Sequence, residues 1–81
     1  MSRTAGWREA APKRGKQRQE VLKRCGKDAF LEPHRLGYPV MGLDCRYDCR
    51  GIQSAYQRAR QYHNEPTANA ALALRKSVCF H

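Results

Sequence analysis

The fold is decided by residues 49–78, which read CRGIQSAYQRARQYHNEPTANAALALRKSV. The first half of this stretch places apolar residues at the spacing i, i+3, i+4, i+7 of one helix face, namely Ile52, Ala55, Tyr56 and Ala59. Asp48 is a suitable N-cap, because its carboxylate can accept a hydrogen bond from a free backbone N–H of the first turn. We therefore predict a helix from Cys49 to about His63.

The second half of the stretch predicts a partner helix over residues 68–78. This segment consists largely of Ala and Leu and ends in basic residues, which favour the negative end of the helix dipole. Asn64 can close the first helix, residues 65–67 form the turn, and Thr67 is the expected N-cap of the second helix. The resulting helical hairpin would bring small side chains together, Ala55 and Ala59 against Ala68 and Ala71.

The residues before the hairpin predict a third helix and an ordered loop. Lys16–Cys25 reads KQRQEVLKRC, a run of good helix formers that Gly26 ends. Residues 27–48 are broken by Pro and Gly every few positions, yet they carry enough apolar residues to supply much of a core. A short strand at Tyr38–Met41 is compatible with this pattern. The predicted fold is thus mainly α, with a hairpin, a first helix, an ordered Pro/Gly-rich loop and an extended basic N-terminal arm.

Length and charge restrict the class of function. The chain has 81 residues, with 16 Lys and Arg against 7 Asp and Glu, which gives a net charge of +9. No apolar run approaches the ~20 residues that span a bilayer, and residues 1–20 contain no apolar segment of a secretory signal. A chain this short leaves little room for both a core and a substrate cleft. We therefore expect a protein that is not an enzyme, with no catalytic residue and no cofactor.

The charge is concentrated at the N-terminus. Residues 1–27 hold nine basic and two acidic groups, whereas residues 28–81 hold seven and five. We expect residues 1–19 to form an extended basic arm and residues 20–81 to form a small α-helical domain that contains the cysteines. Trp7 is expected to anchor the arm on a partner protein. The arm residues expected to make contacts are Arg3, Arg8, Lys13, Arg14, Lys16 and Arg18.

Four cysteines, at positions 25, 45, 49 and 79, allow three interpretations. They can form structural disulfides, which would stabilise a small core, and we expect Cys25 to pair with Cys45 or Cys49. They can bind zinc, with Cys25, Cys45 and Cys49 joined by His34 or His63. They can also remain reduced and buried as small apolar residues. The spacing matches no established zinc motif, and no arrangement of residues indicates a catalytic thiol.

Three stretches of the chain carry Cys, Gly, Pro and aromatic residues in a distinctive order. They are CGKDAFLEP (25–33), YPVM (38–41) and CRYDCRGIQSAYQRARQY (45–62). Together they resemble small Cys-containing virion proteins of the minor capsid type from large nucleocytoplasmic DNA viruses such as chloroviruses and mimiviruses. The pattern of that group runs Cys-Gly-x-x-Cys-Phe-Leu-x-Pro, an aromatic-Pro-aliphatic step, and Gly-x-x-x-Ala-Tyr-x-Arg-Ala-Arg. The resemblance covers about half of the chain, and Ala29 stands where the group has a second cysteine.

The resemblance implies a place in the virion. We expect a minor capsid, or cement, protein that assembles in the host cytoplasm and has other major and minor capsid proteins as partners. Viruses of this type encode thiol oxidases, which implies disulfides despite cytoplasmic assembly. The alternative is a basic nucleic-acid-binding protein, of a packaging or ribosomal type, whose arm neutralises phosphates. The concentration of aromatic residues in the expected core speaks against a base-stacking platform.

Overall fold

The structure of the chain, a computed structural model, describes residues 4–79. Its body has extents of 27 × 24 × 21 Å. The predicted mainly helical fold class is confirmed. Four helices and two short strands follow one another as α1 (Trp7–Ala10), α2 (Lys16–Cys25), β1 (Phe30–Glu32), β2 (Gly37–Pro39), α3 (Cys49–Gln61) and α4 (Glu65–Val78).

The helices α3 and α4 form the hairpin that the sequence predicts. Its small residues meet as expected, since Ala55, Ala59, Ala68 and Ala71 are all buried. Asp48 caps α3, because its Oδ1 accepts a hydrogen bond from the backbone N–H of Arg50 at 2.9 Å. Between the helices, the buried Gln53 accepts a hydrogen bond from Nη1 of Arg75 at 2.7 Å. Close helix packing and the hydrogen bond between Arg75 and Gln53 therefore hold the two helices together.

The second helix of the hairpin begins earlier than predicted. It starts at Glu65, and its N-cap is Asn64, whose Oδ1 accepts a hydrogen bond from the backbone N–H of Thr67 at 3.4 Å. The prediction that Thr67 is the N-cap was wrong. Pro66 does not prevent this early start, because the N–H groups of a first helical turn have no partner within the helix.

Helix α2 has the bounds that its sequence predicts, and Gly26 ends it with a φ of 88°, a left-handed conformation that favours glycine. The following residues form the ordered loop that was expected, but the loop contains two strands. They pair in antiparallel fashion, with Phe30 opposite Pro39 and Glu32 opposite Gly37. The strand predicted from residue 38 to residue 41 overlaps β2 only in part, because Met41 pairs separately with Tyr47.

The ordered loop supplies much of the core, as the sequence predicts. Four of its apolar residues are buried, namely Ala29, Phe30, Val40 and Met41. They belong to two groups of packed side chains, of which one joins α2 to the loop and the other joins the loop to α3. The members are Val21, Ala29, Phe30 and Met41 in the first group, and Val40, Ile52 and Ala55 in the second.

Residues 1–3 of the extended arm predicted over residues 1–19 lie outside the described residues, and the rest of it differs from that prediction. From Trp7 onwards this segment packs against the body, and the Trp7 side chain is only 7% exposed. The indole lies over Gly51 of α3, where a Cβ atom would come within 2.5 Å of the ring carbon Cζ2. Pro12 is also fully buried. The tryptophan thus packs in the space that the missing side chain of Gly51 leaves on α3. The domain boundary that was predicted after residue 19 falls inside α2.

Candidate functional surfaces

The four cysteines form two disulfides, Cys25–Cys45 and Cys49–Cys79, which confirms the disulfide prediction and one of the two expected partners of Cys25. The interpretations with reduced thiols and with zinc were wrong, because the sulfur of each cysteine is bonded to that of another cysteine. His34, offered as a zinc ligand, is exposed. Within residues 4–79, no three His, Cys, Asp or Glu side chains are close enough together to hold a metal ion.

The disulfides join the ends of the helices. Cys25 is the last residue of α2 and is bonded to the loop that leads into α3. Cys49 is the first residue of α3, and it is bonded to the residue that follows α4. The bridged positions are 20 and 30 residues apart, and closing loops of that length stabilises a fold by about 3 kcal/mol each. The bridges therefore compensate for a core in which many side chains are alanines.

A carboxylate on β1 ties the small sheet to the hairpin. Oε2 of Glu32 accepts hydrogen bonds from Nδ2 of Asn64 at 3.2 Å and from Oγ1 of Thr67 at 3.3 Å. Its other oxygen lies 3.5 Å from Nε of Arg35. Sequence reasoning missed this contact, because residues more than thirty positions apart take part and no local pattern connects them.

An open apolar groove of about 610 Å³ lies between β1 and α4. Leu31 and Pro33 form one side of it, and Ala73 and Leu74 of α4 form the other. Tyr47, which is 38% exposed, also lines the groove. Lys27 and Asp28 add a charge of each sign to its lining. The groove, defined here by these residues, can accept an apolar side chain of another protein while the two charges contact polar groups around it.

A second concavity of about 350 Å³ lies where α3 ends and α4 begins. Its lining mixes polar and charged side chains, Arg60, His63, Glu65 and Asn69, with the apolar Leu72. His63 adopts a left-handed backbone conformation with a φ of 56°. These side chains form no hydrogen bond or ion pair with one another. This part of the molecule therefore shows no pairing of a nucleophile with a base.

Within residues 4–79, the basic residues predicted as arm contacts lie on the surface of the body. Arg3 lies outside the described residues, while Arg8, Lys13, Arg14 and Lys16 are exposed. Two of them are tied locally, because Nζ of Lys13 donates a hydrogen bond to the carbonyl oxygen of Arg8. Trp7, predicted as the anchor on a partner, is instead buried in its own chain. The positive charge is therefore carried by a folded surface.

Arg18 is held in place by two backbone carbonyl groups. Its Nε donates a hydrogen bond to the carbonyl oxygen of Pro12 at 3.2 Å, and its Nη1 donates one to that of Leu36 at 2.8 Å. Partial burial lowers the pKa of Arg18, and the positive charges of Arg14 and Arg58 lower it further.

A tight ion pair lies at the start of α3. Both oxygens of Asp48 accept hydrogen bonds from the Arg50 guanidinium, at 3.0 Å and 2.6 Å. The side-chain hydrogen bonds from Arg50 hold the pKa of Asp48 below its ordinary value, although partial burial opposes this effect. The pair and the N-cap use the same carboxylate, so one side chain orients both the helix terminus and the arginine.

Comparisons with known proteins give this chain no relatives: no protein-family model matches it, and no curated protein or solved structure matches it significantly. Within the part of the chain that the structure describes, none of the helices combines the length and the apolar character needed to cross a membrane. The function is therefore inferred from the disulfides, the groove and the charge distribution themselves.

Proposed function

We propose that the chain is a structural component of a virion, a minor capsid protein that cements neighbouring capsid proteins. The observation that carries this proposal is the pair of disulfides, which fixes the ends of α2, α3 and α4 in a body of 27 × 24 × 21 Å. Such a body keeps its shape without a ligand, as a spacer between larger subunits requires. The resemblance of residues 25–62 to small virion proteins supports the capsid as its location.

The groove is the surface that we assign to a capsid protein. Its lining is mostly apolar, and it is open to solvent on one side. Protein interfaces commonly surround an apolar centre with polar groups, and Lys27 and Asp28 provide such groups here. An aliphatic or aromatic side chain of the partner would bury Tyr47 and Leu74 further and exclude water from both surfaces.

In this proposal the N-terminal segment is part of the folded body, whereas its sequence predicts an extended arm that binds a partner. A tether would need a free segment that wraps a neighbouring subunit. Trp7 and Pro12 are instead buried in the chain's own body. We therefore assign the binding of neighbours to the compact body, and the segment from Trp7 to Pro12 to the integrity of that body.

The proposal is tested by the incorporation of variants into virions. Ala73 and Ser77 are both exposed on α4, but only Ala73 lines the groove. Cells infected with the encoding virus would express tagged wild type, Ala73→Arg or Ser77→Arg, and the tag would be quantified in gradient-purified virions. We expect Ala73→Arg to lower incorporation at least tenfold, because it places a charge in the interface, and Ser77→Arg to leave it unchanged.

Two results would count against the proposal in different ways. Absence of the tagged wild type from purified virions would exclude a structural role in the particle. Equal incorporation of the two arginine variants would show that the groove does not lie in the interface. It would not contradict the proposed location in the virion. Circular dichroism of both purified variants would check that the added arginine does not disturb the fold.

A further inference from the structure

Helix α2 has one polar side that is open to solvent. Its inner side consists of Val21, Leu22 and Cys25, which pack in the first group of core side chains. Because a helix has 3.6 residues per turn, the positions opposite these three lie together on the outer side. They are all exposed, and they are Lys16, Gln19, Glu20, Lys23 and Arg24. We call these five residues the basic face, since three are cations and only Glu20 is acidic.

The fold holds the basic face in a fixed orientation. Val21, on the opposite side of α2, is fully buried. The disulfide Cys25–Cys45 ties the last residue of the helix to the loop before α3. At the same end, Nη2 of Arg24 donates a hydrogen bond to the carbonyl oxygen of Leu43. The face therefore has its orientation on the body before any partner binds.

The positive charge of the chain is concentrated on α2 and the residues that flank it. Residues 13–27 hold seven basic residues and one acidic residue, which gives +6 of the total of +9. Within residues 4–79, the ion pairs are Arg35–Glu32 and Arg50–Asp48, and neither involves α2. The two cations of the last turn suit the helix dipole, but Lys16 at the first position opposes it, and the first turn contains no acidic residue. The stability of the fold therefore does not explain the cation at the start of the helix.

We propose that the basic face binds the phosphate backbone of a nucleic acid. Lys16 and Lys23 lie two helical turns apart, which is about 10 Å along the helix axis. A DNA duplex presents a negative charge about every 1.7 Å of its own axis. The two ammonium groups can therefore contact different phosphates at the same time. This inference does not depend on a location in the virion.

The composition of the basic face favours a nucleic acid over other acidic partners. None of its five residues is apolar. A helix that binds a bilayer surface inserts apolar side chains, and a protein interface has an apolar centre. The amide of Gln19, between the cations, can donate hydrogen bonds to phosphate or sugar oxygens, which are the commonest acceptors in protein–DNA contacts.

The binding should depend steeply on salt. If the three cations of the basic face neutralise three phosphates of duplex DNA, log K falls against log salt with a slope of about −2.7. Binding then becomes about 40-fold weaker when salt rises from about 50 to about 200 mM. The probe is a fluorescently labelled DNA duplex of mixed sequence, and fluorescence anisotropy gives the Kd of the oxidised full chain at each salt concentration.

The decisive comparison uses two variants with the same net charge. Lys16→Gln/Lys23→Gln removes two cations of the basic face and keeps Arg24, which has a structural hydrogen bond. With one phosphate contact left, the loss of affinity over the same salt range should shrink to about 3-fold to 4-fold. Arg60→Gln/Lys76→Gln removes two exposed cations of the hairpin and should retain the loss of about 40-fold. Circular dichroism of both variants checks that the fold is unchanged.

Several outcomes would overturn the inference. If the two variants responded to salt alike, net charge and not the basic face would be responsible for binding. If the wild type failed to bind DNA but bound polyglutamate, the partner would be an acidic protein. Binding to phosphatidylserine vesicles in place of DNA would assign the face to a membrane surface. A flat response of the wild type to salt would exclude phosphate neutralisation altogether.

Discussion

Replacing Gly51 by alanine tests whether Trp7 packs on α3 as the structure describes. An alanine Cβ at this position would lie 2.5 Å from Cζ2, 2.7 Å from Cη2 and 2.8 Å from Cε2 of the indole ring. Carbon atoms in contact are ordinarily separated by about 3.5–4.0 Å. The methyl group can therefore enter only if the ring or the helix moves.

The size of the effect follows from two opposing contributions. Alanine in place of glycine within a helix stabilises a protein by roughly 0.5–1 kcal/mol. Overpacking of a filled contact costs about 1–3 kcal/mol. We therefore expect Gly51→Ala to destabilise the wild type by about 1 kcal/mol. In the Trp7→Ala background the same change should stabilise by roughly 0.5–1 kcal/mol, because the clash is gone. The two residues should thus show a coupling of about 1–3 kcal/mol.

The assay is urea unfolding of the four oxidised proteins, followed by circular dichroism at a helical wavelength. Trp7 is the single tryptophan of the chain, so its fluorescence reports its surroundings directly. In Gly51→Ala, emission should shift to the red and quenching by acrylamide should increase. If Gly51→Ala instead stabilised the wild type and left emission unchanged, Trp7 would not lie over Gly51 and the described position of the N-terminal segment would be wrong.

Two further predictions concern the disulfides and the ion pair. Replacing both Cys49 and Cys79 by serine should lower the free energy of unfolding by about 3.5 kcal/mol, as expected for a loop of this length, and urea unfolding of the variant measures the loss. A wild-type value within error of the variant would show that this bridge does not form. The lowered pKa of Asp48 in the folded state means that its contribution to stability is present above the unfolded pKa of about 3.9 and is lost as pH falls through the folded pKa. Asp48→Asn should therefore flatten the decline of thermal stability in acid, and an unchanged acid profile would contradict the described contact with Arg50.

The sequence predicted the elements whose signals are local. The run from Lys16 to Cys25 contains only good helix formers and ends at Gly26. The sequence therefore predicted both ends of α2 correctly. The alanine and leucine spacing predicted the hairpin in the same way. The start of α4 was misplaced because Asn64 and Thr67 are both good caps. Only the three-dimensional path of the chain distinguishes the two caps, because it brings Glu32 within hydrogen-bonding distance of both side chains.

The surfaces could be predicted only in part. Disulfides were expected because the chain is small, and Cys25–Cys45 was among the expected pairs, but composition alone could not exclude zinc or free thiols. The burial of Trp7 was missed because it depends on a single glycine forty-four positions away, and no periodicity in residues 4–12 indicates a buried face.

The most direct test of the proposed function is the copy number of this chain in virions. Gradient-purified particles would be treated with nuclease and mild detergent, and the chain would be quantified by mass spectrometry relative to the major capsid protein. We predict a constant ratio across preparations and both disulfides intact after alkylation without reduction. Absence of the chain, or a trace amount that varies between preparations, would contradict a structural role in the capsid.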